Sequence, residues 1–544
     1  MSENKNSKSI IRATSTVASL TLVSRFFGFI RDLIIARLFG ASIFADSFFV
    51  AFKIPNLLRS FVAEGALSAA FVPIFAGELK NGKERAQEVV SLVLGFLSII
   101  TLSLTVAGII FAENILILIA PGLMREESAS LCISLTQIMM PYIICVSMVA
   151  MLNGALNSVN IFGVAALAQV AMNIVLIAGA ILAGYFQEQN GVYILAWSVI
   201  AGGIVQVIIQ IPALTKAGFK FIPKFNLFSA VIKSLVILML PAILGATVYQ
   251  ITQFLNTLLA TLLVTGSVSW LFYADRVTQL PIGIFSIALA SVLLPSLAKA
   301  NSESNQGEFA NQLINSLRYT SFFMIPVAGT LYFFSAPFVI TLFERGEFTR
   351  NDSLNTSAAV QAFTLGLWTI SCYSMMSRAF IAKKDTVTPT VIGVITLFLS
   401  VSLSLLLMGK IVYNEPFVTV NLISSAQNYL YSIFPAWSLG HKGLALSSSL
   451  TSYFSLLLII LIFNSRYPGV AWSVFVISSA KALISSMLAF TICFLLGFSG
   501  HNSIFSLFVE VLFALSCYLL LAWLMRAKEA LETVEFLKRK LKRK

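Results

Sequence analysis

The chain has 544 residues, 58% hydrophobic and 11% charged, with a formal net charge of +13 and a mean hydropathy of +0.90. Soluble globular domains carry roughly 25% charged residues, so this chain lacks the polar groups to cover a water-facing surface of its size. A large soluble enzyme, a disulfide-built secreted scaffold and a disordered chain are excluded, and an integral membrane protein remains. Cys132, Cys145, Cys372, Cys493 and Cys517 stand in no CxxC or zinc-like spacing. His441 and His501 lie far in sequence from any carboxylate. No catalytic triad, metal site or cofactor is therefore expected. Met1 to Ser9 is polar, and no small-residue cleavage site ends a short apolar core, so no cleavable signal peptide is expected.

A bilayer-crossing helix needs about 20 mostly apolar residues. Fourteen such stretches follow one another at 12–39, 44–77, 87–111, 129–157, 161–185, 191–213, 230–258, 266–298, 309–338, 353–382, 386–411, 442–464, 470–496 and 502–526. An even number puts both termini on one side. With the termini inside, 22 of the 36 Lys and Arg fall on inner loops and the tail. Five fall outside (Arg125, Arg345, Arg350, Lys410 and Lys442), and nine fall within spans. Cytoplasmic loops carry such an excess. Leu537 to Lys544 reads as a juxtamembrane basic patch against anionic lipid and not as a nucleic-acid site.

The chain repeats weakly at an offset of 222 residues: the stretch from Gly65 to Ala76 resembles Ile287 to Ala298, aligning Pro73 with Pro295 and Phe48 with Trp270. That offset corresponds to six spans, so both halves enter the membrane in the same direction. Parallel repeats of this kind build two-lobed transporters.

Charges inside the first, second and eighth spans carry the chemistry. Span one holds Ser24-Arg25 and Arg31-Asp32, with Arg37 near its outer end, where it can snorkel. A central arginine costs roughly 2.5–3.5 kcal/mol on insertion scales, and such residues face a bundle interior or a water-filled cavity. In span two, Asp46 and Lys53 share a helical stripe that Glu64 would join if Pro55 left the helix straight. Span eight adds Asp275-Arg276. Asp46, Lys53, Glu64 and Asp275 suit a structural ion pair as well as a functional role. Arg25, Arg31, Arg59 and Arg276 outnumber the nearby acids, so a cavity among these spans would be net positive and would favour an anionic ligand. Arginine suits phosphate because its planar fork binds two oxygens at once.

Other segments say less. Leu342 to Thr349 reads as a short ordered outer loop, a candidate gate. Ser377 to Pro389 forms an inner helix–loop–helix corner. The outer stretch between Lys410 and Lys442 is long enough to fold locally. Lys481 reads as snorkelling. Gly77 to Glu84 imitates a phosphate-binding loop but lacks the Ser or Thr after lysine and a preceding strand.

These residues resemble the MurJ/MviN family of lipid II flippases, within the multidrug/oligosaccharidyl-lipid/polysaccharide exporter superfamily. The likeness rests on Ser24-Arg25 with Gly28, Arg31-Asp32, Phe39-Gly40-Ala41, Ala45-Asp46, Phe48 to Lys53, Pro55-Asn56-Leu57-Leu58-Arg59 and Ala63-Glu64-Gly65-Ala66. It continues through Gly266 to Trp270, Tyr273-Ala274-Asp275-Arg276, Leu293 to Leu297 and Phe343-Glu344-Arg345-Gly346. The resemblance implies an all-α polytopic fold of about 14 transmembrane helices in two six-helix lobes, plus two C-terminal helices lining a groove for the lipid tail. On this chain that gives an N-lobe at 1–213, an inner linker at 214–229, a C-lobe at 230–464, the added spans at 465–530 and a basic cytoplasmic tail at 531–544. It implies a transporter of undecaprenyl-pyrophosphate disaccharide-pentapeptide, working by alternating access in the bacterial inner membrane for cell wall synthesis. Membrane lipids and other cell wall synthesis proteins would be its partners. By motif, Arg25, Arg31 and Arg276 would hold the diphosphate. Arg59 and Glu64 would form a thin gate, and Asp46, Lys53, Ser24, Asp32 and Asp275 would line the cavity. Ser60 stands where relatives often have a second arginine, and span seven offers Gln250, Gln253 and Asn256 but no carboxylate for a sodium site.

Three competitors fit less well. A drug or cation antiporter on the same fold would want acids in the cavity. A membrane-embedded transferase needs paired carboxylates or a metal-binding DxD. A non-transporting scaffold has no use for buried arginines. The inside-negative potential would act on empty cationic helices with roughly 2.3 kcal/mol per charge per 100 mV.

Overall fold

In the computed structural model the described residues, 2–59, 66–303, 305–411, 417–498, 503–532 and 535, form helices and connections with no strand. The helices are α1 (Ser2–Phe39), α2 (Ile43–Arg59), α3 (Ala66–Lys80), α4 (Lys83–Ile110), α5 (Ala112–Ile119), α6 (Glu126–Met139), α7 (Tyr142–Ser158), α8 (Gly163–Ala183), α9 (Glu188–Lys216) and α10 (Ala230–Thr261). They continue as α11 (Ser267–Pro281), α12 (Ile287–Ser302), α13 (Gln306–Phe333), α14 (Ser335–Phe343), α15 (Arg350–Thr364), α16 (Leu367–Ala382), α17 (Val387–Leu407), α18 (Val418–Ile433), α19 (His441–Arg466), α20 (Trp472–Leu495) and α21 (Ile504–Leu524). Among the described residues eight helical segments are long and apolar enough to cross a membrane. A ninth, α13 with α14, bends by 69°. The protein is thus a multi-pass membrane protein. Its outward side chains agree: Phe398, Leu461, Phe494 and Phe505 are exposed, which suits hydrocarbon and not water.

Breaks mark the other apolar stretches. Pro281 ends α11, and a π turn at Ile282–Ser286 follows directly, where the proline ring removes a backbone donor. The stretch that imitates a phosphate-binding loop is a helix end: α3 stops at Lys80, Gly82 takes φ 127°, and α4 starts at Lys83. Helix boundaries also recur. Shifted by 222 residues, α3 falls on 288–302 beside α12, α4 on 305–332 beside α13, α5 on 334–341 beside α14, and α8 on 385–405 beside α17.

The chain divides into two compact units. The first comprises Met1–Ser269, Arg345–Phe348 and Tyr413–Leu422. Its core joins Phe71, Phe75, Val93, Leu97, Leu152 and Phe219. By packing, α10 belongs here, because Ile232, Leu235 and Met239 enter that core, although α10 opens the second half in span order. Helices α8 and α9 approach closely. A Cβ on Gly179 would stand 1.8 Å from Ser198 Oγ, the small-residue contact that membrane helices use where no hydrophobic drive exists between them. The connection between α9 and α10 is strapped to α4: Lys224 N donates to Ser91 O at 2.8 Å. Gln87 exchanges hydrogen bonds of 2.9 and 2.6 Å with the Lys220 backbone.

The second unit comprises Trp270–Glu344, Thr349–Val412 and Ile423–Lys544. Its core gathers Leu293, Leu313, Leu317, Met376, Phe380, Ile459 and Phe463. The segment after α21 is tied in by a buried charge pair. Arg318 Nε donates to Glu529 Oε1 at 2.6 Å, Ser478 Oγ adds 2.7 Å to the same oxygen, and Arg318 Nη1 donates to Asn315 Oδ1 at 2.9 Å. Lys481 is half-buried and its Nζ donates to Arg526 O at 3.2 Å. The basic tail from Leu537 lies outside the described residues. At the α16–α17 corner, Lys383 Nζ sits 4.3 Å from the Phe309 ring centroid. Asp385 caps α17 through Thr388 N and Oγ1 at 2.9 and 2.6 Å, and pairs with Arg466 Nη1 at 2.7 Å.

Two outcomes follow from these ion pairs. Glu529→Ala strands the Arg318 charge, and losing one partner of a buried pair costs about 3–5 kcal/mol. Arg318→Met combined with Glu529→Leu regains most of that, and thermal unfolding in detergent micelles compares the two. Partial burial raises the Asp385 pKa, but the Thr388 hydroxyl and amide, Arg466 and the Val387 amide outweigh it and hold the carboxyl below its usual 3.8. A depressed folded pKa stabilises the corner fully above the unfolded value, and that stability is lost as pH falls through the folded value. Amide exchange in the first turn of α17 therefore accelerates as pH drops below about 4, the ordinary carboxylate range, after correction for intrinsic exchange. In Asp385→Asn it lacks this dependence.

Candidate functional site

Arginine 31 is held in place by neighbours on two helices. Its Nε and Nη2 donate to Asp32 Oδ1 at 2.9 and 2.7 Å, and its Nη1 donates to Asn173 Oδ1 at 3.1 Å. Adjacent helical residues point about 100° apart, so the long arginine folds back onto its neighbour. Asp32 is 2% exposed and Arg31 12%. Asn173, on α8, turns its amide nitrogen to Ser24 O at 3.0 Å, Ser24 Oγ at 3.3 Å and Gln169 O at 3.2 Å. Four of the residues in this cluster (Ser24, Arg31, Asp32 and Asn173) are thus locked to one another. Three came from the span-one pattern. Asn173 was missed, although a lone amide in the apolar run Val170 to Ile181 was its signal.

Asp46 and Lys53, read as sharing a stripe, have different partners. Asp46 is buried in the first turn of α2. It accepts from Gly266 N at 2.7 Å, Ser269 N at 2.9 Å and Ser269 Oγ at 2.6 Å. It thereby supplies the negative charge that the start of α11 favours. Lys53 Nζ donates to Gln253 O at 2.8 Å and to Thr257 Oγ1, both on α10.

In the second unit, Asp275 and Arg276 lie half-buried on α11. The Arg276 guanidinium stacks 4.7 Å from the Phe272 centroid, a cation–π contact. Asp275 Oδ2 accepts from Gln279 Nε2. Trp270 Nε1 donates to Asp352 Oδ1 at 2.9 Å, and Asp352 also closes a capping box with Thr349 at the start of α15.

Arg25 is exposed on α1. Arg59 ends α2, its side chain outside the described residues, as is Glu64 entirely. The candidate gate loop meets the end of α1: Glu347 N donates to Arg37 O at 2.9 Å. Both glycines there need positive φ, 56° at Gly40 and 61° at Gly346. Their Cβ atoms would stand 2.4 Å from Glu347 O and 2.3 Å from Arg37 O. Two motifs far apart in sequence are therefore one contact.

The family model described as lipid II flippase MurJ matches residues 35–415. A probable lipid II flippase MurJ of Buchnera aphidicola subsp. Acyrthosiphon pisum is 34% identical over 453 residues, covering 83% of both chains. The lipid II flippase MurJ of Burkholderia cenocepacia is 33% identical over 485 residues, covering 87% of this chain and 88% of its own. A solved lipid II flippase MurJ in an inward closed conformation superposes with a TM-score of 0.76 at 26% identity, over 94% of this chain and 98% of that one. An inward-facing multidrug resistance transporter of the MATE family gives 0.66 at 16% identity, over 83% and 98%, a likeness of fold alone. With the family model spanning most of the chain and relatives matched over most of their length, this chain belongs to the lipid II flippase MurJ family.

Proposed function

We propose that this chain carries lipid II, the undecaprenyl-pyrophosphate-linked disaccharide-pentapeptide, from the inner to the outer leaflet of the bacterial cytoplasmic membrane by alternating access. It is a transporter and not an enzyme, with fourteen crossings, both termini cytoplasmic and two six-helix lobes related as parallel repeats. The Lys and Arg asymmetry supports the orientation, and the recurrence of helix boundaries at one offset supports the repeat.

The observation that carries the reading is the held guanidinium of Arg31 in a chain of this family. Its three bonds to Asp32 and Asn173 use three of five N–H groups and leave the rest of a pre-aimed fork for an anionic oxygen. Arg25 and Arg276 are proposed as the other diphosphate ligands. Asp32, Ser24 and Asp275 are proposed to set their orientation, Asp46 and Lys53 to hold the α10–α11 corner, and Arg59 with Glu64 to gate the inner side.

Flipping is read as precursor reached on the outer leaflet by an impermeant hydrolase, after membrane expression is confirmed. Arg25→Ala, Arg31→Ala or Arg276→Ala each removes a hydrogen bond to a charged group worth about 1.5–3 kcal/mol, about 10- to 100-fold in rate. Lysine at the same positions does less damage because it lacks the fork. Normal flipping in all three alanine variants sinks the cavity assignment. Asn173→Ala tests the support separately: it releases one bond to the Arg31 guanidinium and lowers flipping about tenfold, in line with the lower end of the about 1.5–3 kcal/mol of a hydrogen bond to a charged group. An unchanged rate shows that Asp32 alone orients the arginine.

A further inference from the structure

The segment between α17 and α19 folds into α18, a helix with no charged residue. At 100° per residue its side chains sort into three sectors. One packs on the protein: Val420 and Gln427 are buried, and Ile423, Leu430 and Tyr431 half-buried. A second is exposed and polar, made of Asn421, Ser425, Asn428 and Ser432. A third is exposed and apolar, made of Val418, Leu422, Ala426, Tyr429 and Ile433, with Leu422 66% and Tyr429 68% exposed. A helix that met only protein and water would have no use for the third sector.

The level of α18 is set by α17. That helix has 21 residues, about 31 Å at 1.5 Å per residue, close to the roughly 30 Å hydrocarbon thickness, so its last turn reaches the membrane boundary. The orphan carbonyls of that turn are met by α18 and the chain after it. Gln427 Nε2 donates to Leu405 O and Gly409 O, both at 2.9 Å, and its Oε1 accepts from Ile411 N at 3.0 Å. Trp437 N, Leu439 N and Gly440 N donate to the carbonyls of Leu406, Leu407 and Met408. The buried amide therefore pins α18 across the end of a membrane-crossing helix, whose own exposed Val391, Ile395 and Phe398 face lipid.

We propose that α18 is an interfacial helix and that its partner is the lipid surface. The stripe from Val418 to Ile433 lies about 5–10 Å into the headgroup–acyl boundary, the polar sector faces water, and the protein sector caps α17. Tyr429 and the exposed Trp437 suit that boundary, where amphipathic rings concentrate. With no charge on the helix, the attachment is apolar and indifferent to lipid headgroup charge. The inference requires only that α17 crosses the membrane and does not depend on the transport reading.

The test uses the full chain in lipid nanodiscs. Leu422→Cys, Tyr429→Cys and Ile433→Cys are nitroxide-labelled and compared with Ser425→Cys, Asn428→Cys and Ser432→Cys. The unsubstituted protein supplies the background of its native thiols, of which Cys132, Cys372 and Cys493 are buried. All six positions are exposed, so each variant retains the parent elution profile. Relaxation by oxygen against a polar nickel chelate is expected to shift toward oxygen for the first set and toward nickel for the second, alike in neutral and anionic lipid. Equal access to nickel in both sets overturns the proposal. Spin–spin broadening with a doubled particle mass also overturns it, by assigning the stripe to a second copy.

Discussion

A charge in the middle of an apolar helix costs roughly 2.5–3.5 kcal/mol on insertion scales, and the polar architecture of this protein answers that cost. Arg31 is held by Asp32 beside it and Asn173 on α8, and Asn173 in turn fastens Ser24. The carboxylate offsets the cost of desolvating the guanidinium, and the amide fixes its direction. Ground-state order of this kind leaves a ligand less to organise on arrival. Because Asn173 also bonds the backbone of Ser24 and its own helix at Gln169, the packing of α1 on α8 and the pose of the arginine depend on one side chain.

The same constraint recurs away from the arginine. Asp46 is spent on the amides at the start of α11, and Lys53 on a carbonyl and hydroxyl of α10. Arg318 is neutralised by Glu529. Where no charge is available, backbone groups are met by amides, as at the end of α17 by Gln427. Between helices lipid offers no hydrophobic drive, so association leans on close approach, as at Gly179 against Ser198. The outer surface is correspondingly apolar, and the interiors of both units hold serine and threonine hydroxyls that bond backward to carbonyls of their own helices, such as Thr101 to Leu97 and Thr330 to Pro326.

Much of this was legible in the chain. Apolar runs marked where helices form, because hydropathy is local and averages over about 20 residues. The placement of Arg25, Arg31, Asp32 and Asp275-Arg276 inside such runs singled them out by cost alone. The stretch between Lys410 and Lys442, long enough to fold locally, holds a helix, α18. What escaped was partner identity. The stripe that Asp46 shares with Lys53, seven residues away, did not reveal that Asp46 also accepts hydrogen bonds from backbone amides 220 and 223 residues on. Glu529 fell outside every candidate set although it closes a buried pair 211 residues back.

The division has a physical cause. Composition and periodicity determined the membrane class, the helix positions and which side chains are too costly to leave unsupported, since each follows from the chain's own neighbours. Only the tertiary structure decided how they are supported: Asn173 for Arg31, the α11 amides for Asp46, the Gly40–Glu347 contact that joins two distant motifs, and the three-sided surroundings of α18. A hydrogen bond needs a donor and an acceptor within about 3 Å, and which residues meet at that distance is settled by how helices pack, a property that no window along the chain contains.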